Sequence, residues 1–290
     1  MPVNSSAPQS GVIAANVEMY RGLASRYDRC WTSVLGHDLN PALRQDLEKI
    51  VSSFSPDQGP FRCLDCGAGT GAVALAMLAH GWSVTAVDVS SEMLELMARK
   101  IAARGCTAAL VNLSIEEFLS QPGPQYHLIG FHSVLHHIYD YSSVIDLAVD
   151  RLIPGGFLYT NVDPVISRHP VLTDTFDSLD TGVAKLLHEP SDFIPGAVRR
   201  LRKLTRSADP QFGRKVASVG DIAEFHARAG VNDSAIVRLI RAKGLQIVEH
   251  SRYPLARTRV TSYVNRILKL RQEFKIIARS PQVPRSSGSR

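Results

Sequence analysis

The chain has 290 residues, 44% of them apolar, which is enough to bury a full core with appendages and excludes a disordered or fibrous protein. The net charge of +6 is unevenly spread: residues 196–290 hold 21 of the 33 Lys and Arg but only 6 of the 27 Asp and Glu, so a basic third follows an acidic remainder. No apolar run is long enough to cross a membrane, and residues 1–10 have neither a basic start nor an apolar segment, which predicts no membrane span and a cytoplasmic protein.

Residues 1–15, polar and rich in Ser and Pro, read as a disordered tail. A helical cap follows over 16–59. Met19, Tyr20, Leu23, Tyr27, Trp31 and Val34 fall at helical intervals, and Asn40-Pro41 opens a second helix through Leu43, Leu47 and Ile50. Tyr20 and Tyr27 share one face of the first helix, where they either pack in the core or meet a ligand. Residues 55–60 are a turn-rich linker.

From 60 to 165 the pattern is strand and helix in alternation, which implies a parallel sheet with right-handed crossovers. The first strand, ending at Asp65-Cys66, runs into Gly67-Ala68-Gly69-Thr70-Gly71 and then the helix of Val73, Leu75 and Leu78. Alternate glycines let the backbone approach a ligand closely. The second strand, 83–87, ends in Asp88, placed to accept hydrogen bonds from the hydroxyls of a ribose. The glycine run fits both a dinucleotide pattern and a tighter mononucleoside one. Asp65 argues for the second, because a carboxylate at that point repels pyrophosphate and suits a cationic ligand.

Cys63 and Cys66 spell C-x-x-C, but an odd offset in a strand sends the two side chains to opposite faces, and no second pair completes a zinc site. No metal is expected. Ser90 and Ser91 can cap the helix that carries Met93, residues 108–111 read as the third strand, and Ser114 or Asn112 can cap the helix after it. The fourth strand ends in Phe131-His132-Ser133, followed by His136 and His137. An imidazole titrates near neutral pH, so His136 is the candidate general base, whereas His137 is read as packing within a helix and His127 as structural. Beyond Pro154-Gly155-Gly156 the fifth strand, 157–162, delivers Asn161 and Asp163 toward the acceptor side.

Four segments, in order and normally spaced, resemble the class I S-adenosylmethionine-dependent methyltransferases: residues 64–71, 84–90, 126–137 with its Leu-His-His ending, and 152–159. Residues 20–28 are similar to the entry helix that closes over the cofactor in small-molecule members. The resemblance implies a Rossmann-like, seven-stranded, mostly parallel sheet whose last strand is antiparallel, with the N-terminal cap and an inserted helical lid. It assigns Asp65, Gly67, Ala68, Gly69 and Gly71 to the aminoacyl part of S-adenosyl-L-methionine, Asp88 to its ribose, and Val89 and Met93 to its adenine. Phe131 and His132 fall where the backbone holds the methionine portion, and Tyr20 and Tyr27 where the cap meets the substrate. Ser114 stands where relatives carry an Asp that reaches the adenine amino group, and His127 where they usually have Asp.

Roughly 70 residues then intervene before the next core helix, near 232–243, and residues 166–231 are read as a lid. Within it Val198, Leu201 and Leu204 form one helical face amid Arg199, Arg200, Arg202, Lys203 and Arg206, and 221–230 reads as another helix. Residues 232–280 return to the core, with strands at 245–251 and 274–278 around an amphipathic helix carrying Tyr263, Val264 and Ile267. Residues 281–290 form a loose tail. The function implied is methyl transfer to a small-molecule acceptor, anionic or lipophilic, by in-line displacement. A nucleic-acid methyltransferase using the basic third, or a noncatalytic cofactor-binding interaction protein, are the rivals; no RNA-binding module is appended. A dehydrogenase leaves Asp65 and the Pro154-Gly155-Gly156 turn without a role.

Overall fold

A computed structural model describes residues 6–31, 41–55, 57, 59–167, 169, 171–173, 175–176, 178–180, 208–209, 214–215, 218–227, 229–254, 259–270 and 272–282. The basic helical face expected near 198–206 and the tail from 283 lie outside them.

Seven strands form one sheet: β1 (Arg62–Cys66), β2 (Ser83–Val87), β3 (Ala109–Val111), β4 (Tyr126–His132), β5 (Leu152–Pro164), β6 (Gln246–Pro254) and β7 (Gln272–Arg279). Their order is β3-β2-β1-β4-β5-β7-β6. β1 to β5 pair in parallel, and β7 lies antiparallel between β5 and β6. Helices α3 (Ala72–Ala79), α4 (Ser91–Ala103), α5 (Ile115–Ser120) and α6 (Tyr141–Asp150) supply the crossovers, and α8 (Asp233–Ala242) leads into β6.

Because both faces are covered by helices, the central strands are buried on both sides rather than alternately so. On one face Leu64, Ile129, Phe131 and Leu158 pack with Val144, Ile236 and Ile240. The other collects Cys63, Leu128, Tyr159 and Ile277 with Leu47 of α2 (Pro41–Val51), Val73 and Met77. Each fully buried aliphatic side chain contributes about 1.5–3 kcal/mol. Cys63 and Cys66 are buried free thiols on opposite faces, as the odd offset requires. His127 is structural: its Nδ1 accepts the Arg62 backbone N–H at 3.1 Å, and its ring meets Phe54, Phe61 and Trp82 edge-on.

Two expectations need correction. Residues 6–15, read as unstructured, are the opening turns of a 26-residue helix, α1 (Ser6–Trp31). Val12 and Ala15 are buried, and the Asn16 side-chain amide donates to the carbonyls of Val12 and His137, so tertiary contact overrides a sequence of weak helix formers. The fifth strand does not begin after Pro154-Gly155-Gly156 but runs through it. A Cβ on Gly156 would lie 3.0 Å from the carbonyl oxygens of Ile153 and Tyr126, so a side chain there would crowd the two strands.

Candidate functional site

β1 delivers Asp65 and then turns sharply at Gly67 (φ +65°), Gly69 (φ +53°) and Gly71 (φ +99°) into α3. The turn is held on one side by Val87, whose carbonyl accepts the N–H groups of Gly67 and Ala68, and on the other by Lys100, which donates to the Thr70 carbonyl. Gly67 is sterically obligatory: a Cβ there would fall 2.1 Å from Val134 Cγ2. Gly69 is different, since a Cβ on it would meet nothing within 4 Å and would project into the open space beside the loop.

That space is a cleft of about 890 Å³, including its open mouth, at the carboxyl ends of the strands. Gly67, Ala68 and Gly69 form its floor. Asp65 and Asp88 line it together, Val89, Met93 and Ile115 give an apolar wall, and Tyr20 and Tyr27 of α1 close it from above. Asp88 Oδ2 accepts the Gly69 N–H at 2.7 Å and Oδ1 the Ser90 N–H at 2.9 Å, which ties the glycine loop to the end of β2. The Val89 N–H is a third backbone donor to this carboxylate, which still has acceptor capacity for a ligand donor.

Asp65 is 2% exposed. Its Oδ2 accepts the Ala74 N–H at 2.9 Å, but burial dominates and pushes its carboxyl up to about 7. A buried carboxylate held that high is poised to receive a cation, which would return it to the ionised form. These features fit a cationic nucleoside: two facing acids, a backbone cradle with room above Gly69, and an apolar slot for a base.

Strand β4 ends at His132 and Ser133, both lining the cleft, and Ser133 holds φ +57°. A 3₁₀ turn, Leu135–His137, follows. His137 lines the cleft and His136 does not. The His137 ring is bonded on both sides: Nδ1 donates to the Ala223 carbonyl at 3.0 Å, leaving Nε2 to accept the Tyr20 hydroxyl at 2.9 Å. Burial and the neighbouring His136 lower its pKa to about 3, so the ring is neutral. Ala223 ends α7 (Val219–Ala223), and His137 thereby links the cap to the inserted segment.

His136 instead turns to Asp163, with Nδ1 to Oδ1 at 2.7 Å and its backbone N–H on the same oxygen at 3.1 Å. Asp163 is completely buried, and burial raises its carboxyl to about 7 against the pull of the N–H groups of His136, Leu135 and Val134. This aspartate was expected to face the acceptor; it faces the protein. The cause is a bulge between Asn161 and Asp163, where Val162 takes φ +65° and reverses the alternation of side chains.

The other expected residues sort clearly. Met93 and Val89 reach the cleft. Phe131 lies fully buried in the core, and Gly71 turns the chain without lining the cleft. Ser114 caps α5, its hydroxyl accepting the Glu117 N–H at 3.1 Å, and Ile115 and Glu116 line the cleft in its place. Asn112 donates to the Asp88 carbonyl at 3.0 Å. Sequence reasoning missed Val12, Ile13 and Asn16, whose signal was the i, i+4 spacing that Val12 and Asn16 continue to Tyr20. Among the described residues no group of three or more His, Cys, Asp or Glu is placed to hold a metal ion.

The parallel sheet with a glycine turn and two acids at its carboxyl edge defines a nucleoside-binding α/β protein of the Rossmann-like class. A family model described as "Methyltransferase domain" matches residues 64–158, the stretch from the glycine turn to β5. The tRNA 5-carboxymethoxyuridine methyltransferase of Escherichia coli (strain K12) is 28% identical over 148 residues, covering 49% of this chain and 56% of the relative. The chain thus spans little more than half of that relative's length. The Ubiquinone biosynthesis O-methyltransferase of Bordetella avium (strain 197N) is 25% identical over 171 residues, 58% of this chain and 67% of the relative. Among solved structures, magnesium protoporphyrin IX methyltransferase from Synechocystis PCC 6803 shares the fold, with TM-score 0.54 over 93% of this chain and 99% of that one at 13% identity. Residues 64–158 thus match a methyltransferase domain, and the class I S-adenosylmethionine-dependent methyltransferases are what this stretch resembles.

Proposed function

We propose that the protein is an S-adenosyl-L-methionine-dependent methyltransferase acting on a small-molecule acceptor in this cleft. The observation that carries the reading is the pair of acids, Asp65 and Asp88, facing one cleft across a glycine turn with open space above Gly69. Asp65 and the turn would hold the aminoacyl end of the donor, Asp88 its ribose hydroxyls, and Val89, Met93 and Ile115 its base. The bound donor supplies a methyl group already activated as a sulfonium. What remains for this chain is to align an acceptor with that methyl group and to exclude water.

Tyr20 and His137 are the polar pair that α1 and the 3₁₀ turn present to the acceptor. With His137 neutral and its Nε2 occupied, Tyr20 stays protonated, and its oxygen can accept a hydrogen bond that orients an incoming group. His136, held by Asp163 outside the cleft lining, serves to position the turn rather than to touch the acceptor.

Calorimetric titration with S-adenosylmethionine, S-adenosylhomocysteine and NAD in parallel tests the reading. The expected result is binding of both adenosyl ligands and not of NAD, with Asp88→Ala weakening it more than about tenfold, on the order of 1.4 kcal/mol. Binding of NAD alone, or unchanged affinity in a folded Asp88→Ala protein, refutes it. An RNA acceptor is the second reading, on the strength of the basic C-terminal third and the tRNA-modifying relative; tight binding of RNA that falls steeply with salt would favour it.

A further inference from the structure

Helix α9 (Arg259–Leu268) joins β6 to β7, and its apolar face is open to solvent: Tyr263 is 69% exposed, Ile267 62% and Leu268 57%. A second apolar strip, Ile166, Val171 and Leu172, is exposed at 47%, 76% and 56%. The two strips adjoin. Thr173 Oγ1 donates to the Leu270 carbonyl at 2.7 Å, and the Val165 N–H to the Gln272 carbonyl at 2.9 Å, so the segment leaving β5 runs beside the end of α9. Single exposed apolar residues need no explanation, but six large ones gathered on adjoining segments mark a surface that meets something.

Charge identifies what it meets. Residues 257–271 contain five Arg or Lys and no Asp or Glu, and Arg266 and Lys269 stand exposed beside the apolar residues. A second copy of the chain would bring like charges together, which disfavours self-association through this face. Nucleic acid would neutralise the charges but leave the aliphatic side chains without a partner. An amphipathic helix with aliphatic and aromatic residues on one side and Arg and Lys flanking them matches the interface of an anionic bilayer, where acyl chains and headgroups satisfy both.

We infer that α9 together with Ile166, Val171 and Leu172 docks the protein on an anionic lipid surface. The surface lies at the carboxyl ends of β5 and β6, where Pro164 and Pro254 pair with Glu273 and Gln272, which is the edge of the sheet that carries the cleft. Docking there would bring an acceptor dissolved in the bilayer close to the cleft. Among the described residues no helix is long and apolar enough to cross the membrane, so the contact is peripheral.

The experiment is co-sedimentation of the full chain with vesicles of phosphatidylcholine mixed with phosphatidylglycerol, and with vesicles of phosphatidylcholine alone, without methyl donor. The mixed vesicles should retain the protein, and the paired substitutions Tyr263→Ser and Ile267→Ser should lower the partition coefficient at least about tenfold. Arg266→Gln with Lys269→Gln should lower it too and flatten its salt dependence. The substituted side chains are solvent-exposed, so thermal unfolding should stay as in the parent. Absence of binding to the mixed vesicles overturns the inference, as does equal binding by the Ser variant. A dimer in sedimentation velocity that the Ser variant dissolves would assign the face to a second copy instead.

Discussion

Asp65 makes donor affinity depend on pH in a way that distinguishes a cation-binding carboxylate from a merely buried one. Burial raises its pKa from 3.8 to about 7 in the free protein. A cationic ligand binds the ionised form, so the apparent affinity scales with the ionised fraction, which is about 3% at pH 5.5 and about half at pH 7. Affinity should therefore rise roughly 15-fold, on the order of 1.6 kcal/mol, across that interval, with a proton released on binding. The window stays below the α-amino range near pH 7.7–8.0, so the ligand's own ammonium does not titrate in it. Titration calorimetry in two buffers of different ionisation enthalpy reads both the affinity and the proton count. Asp65→Asn should bind weakly and show neither effect. A flat affinity from about pH 5.5 to 7 with no proton released, joined by undiminished binding to Asp65→Asn, would mean that no charge on Asp65 meets the ligand, and the assignment of a cation to that end of the cleft would fall.

The two glycines of the turn should respond differently to a methyl group. Gly67→Ala meets Val134 and a left-handed backbone together and should cost about 2–4 kcal/mol in urea unfolding, whereas Gly69→Ala should cost about 1 and instead cut donor affinity more than about tenfold. Equal stability losses would show that the space above Gly69 is not what the turn preserves. Asp163→Ala removes the acceptor of the His136 ring and of the 3₁₀ turn's N–H groups, and should destabilise by about 3 kcal/mol with Asp163→Asn costing less; a loss under about 1 would refute its anchoring role. Tyr20→Phe deletes the bond to His137 and should speed hydrogen exchange in α1 several-fold while β1 and β4 are unaffected, as mass spectrometry of peptides from 6–31 would report.

What was legible in the sequence was what local rules determine. Strands buried on both faces read as largely apolar runs, alternate glycines read as a turn, and Asp88 follows its strand in register with β1, so the sheet and the meeting of Asp65, the glycine turn and Asp88 at one cleft followed from spacing. The acceptor half depends on contacts between distant segments. Nothing local tells Asp163 to face His136; that follows from a one-residue bulge at Val162, an unfavourable choice for a β-branched residue that only tertiary structure can impose. Nor does the sequence separate His136 from His137, since which imidazole enters the cleft is decided by Tyr20 from one side and Asp163 from the other. Ser114 misled for a related reason: as a cap it satisfies the α5 backbone, and the next two residues turn toward the cleft.

Left-handed backbone, which also serves turns elsewhere in the chain, recurs at the strand ends beside the cleft. Gly67, Gly69, Ser133 and Val162 all occupy the carboxyl ends of β1, β4 and β5, three neighbouring strands, and the Ser133 N–H donates to the Asn161 carbonyl at 2.8 Å, coupling two of the ends. For Ser133 and Val162 such a conformation costs about 1–2 kcal/mol each, and it persists because the neighbouring strands over-determine it. Its effect is to end the strands abruptly, so that the glycine turn, the His132-Ser133 corner and the 3₁₀ turn leave the sheet along one edge and leave a cleft between them. A sheet with relaxed strand ends would fold as well or better. The strain is explained by the cleft it opens, which Asp65 and Asp88 line.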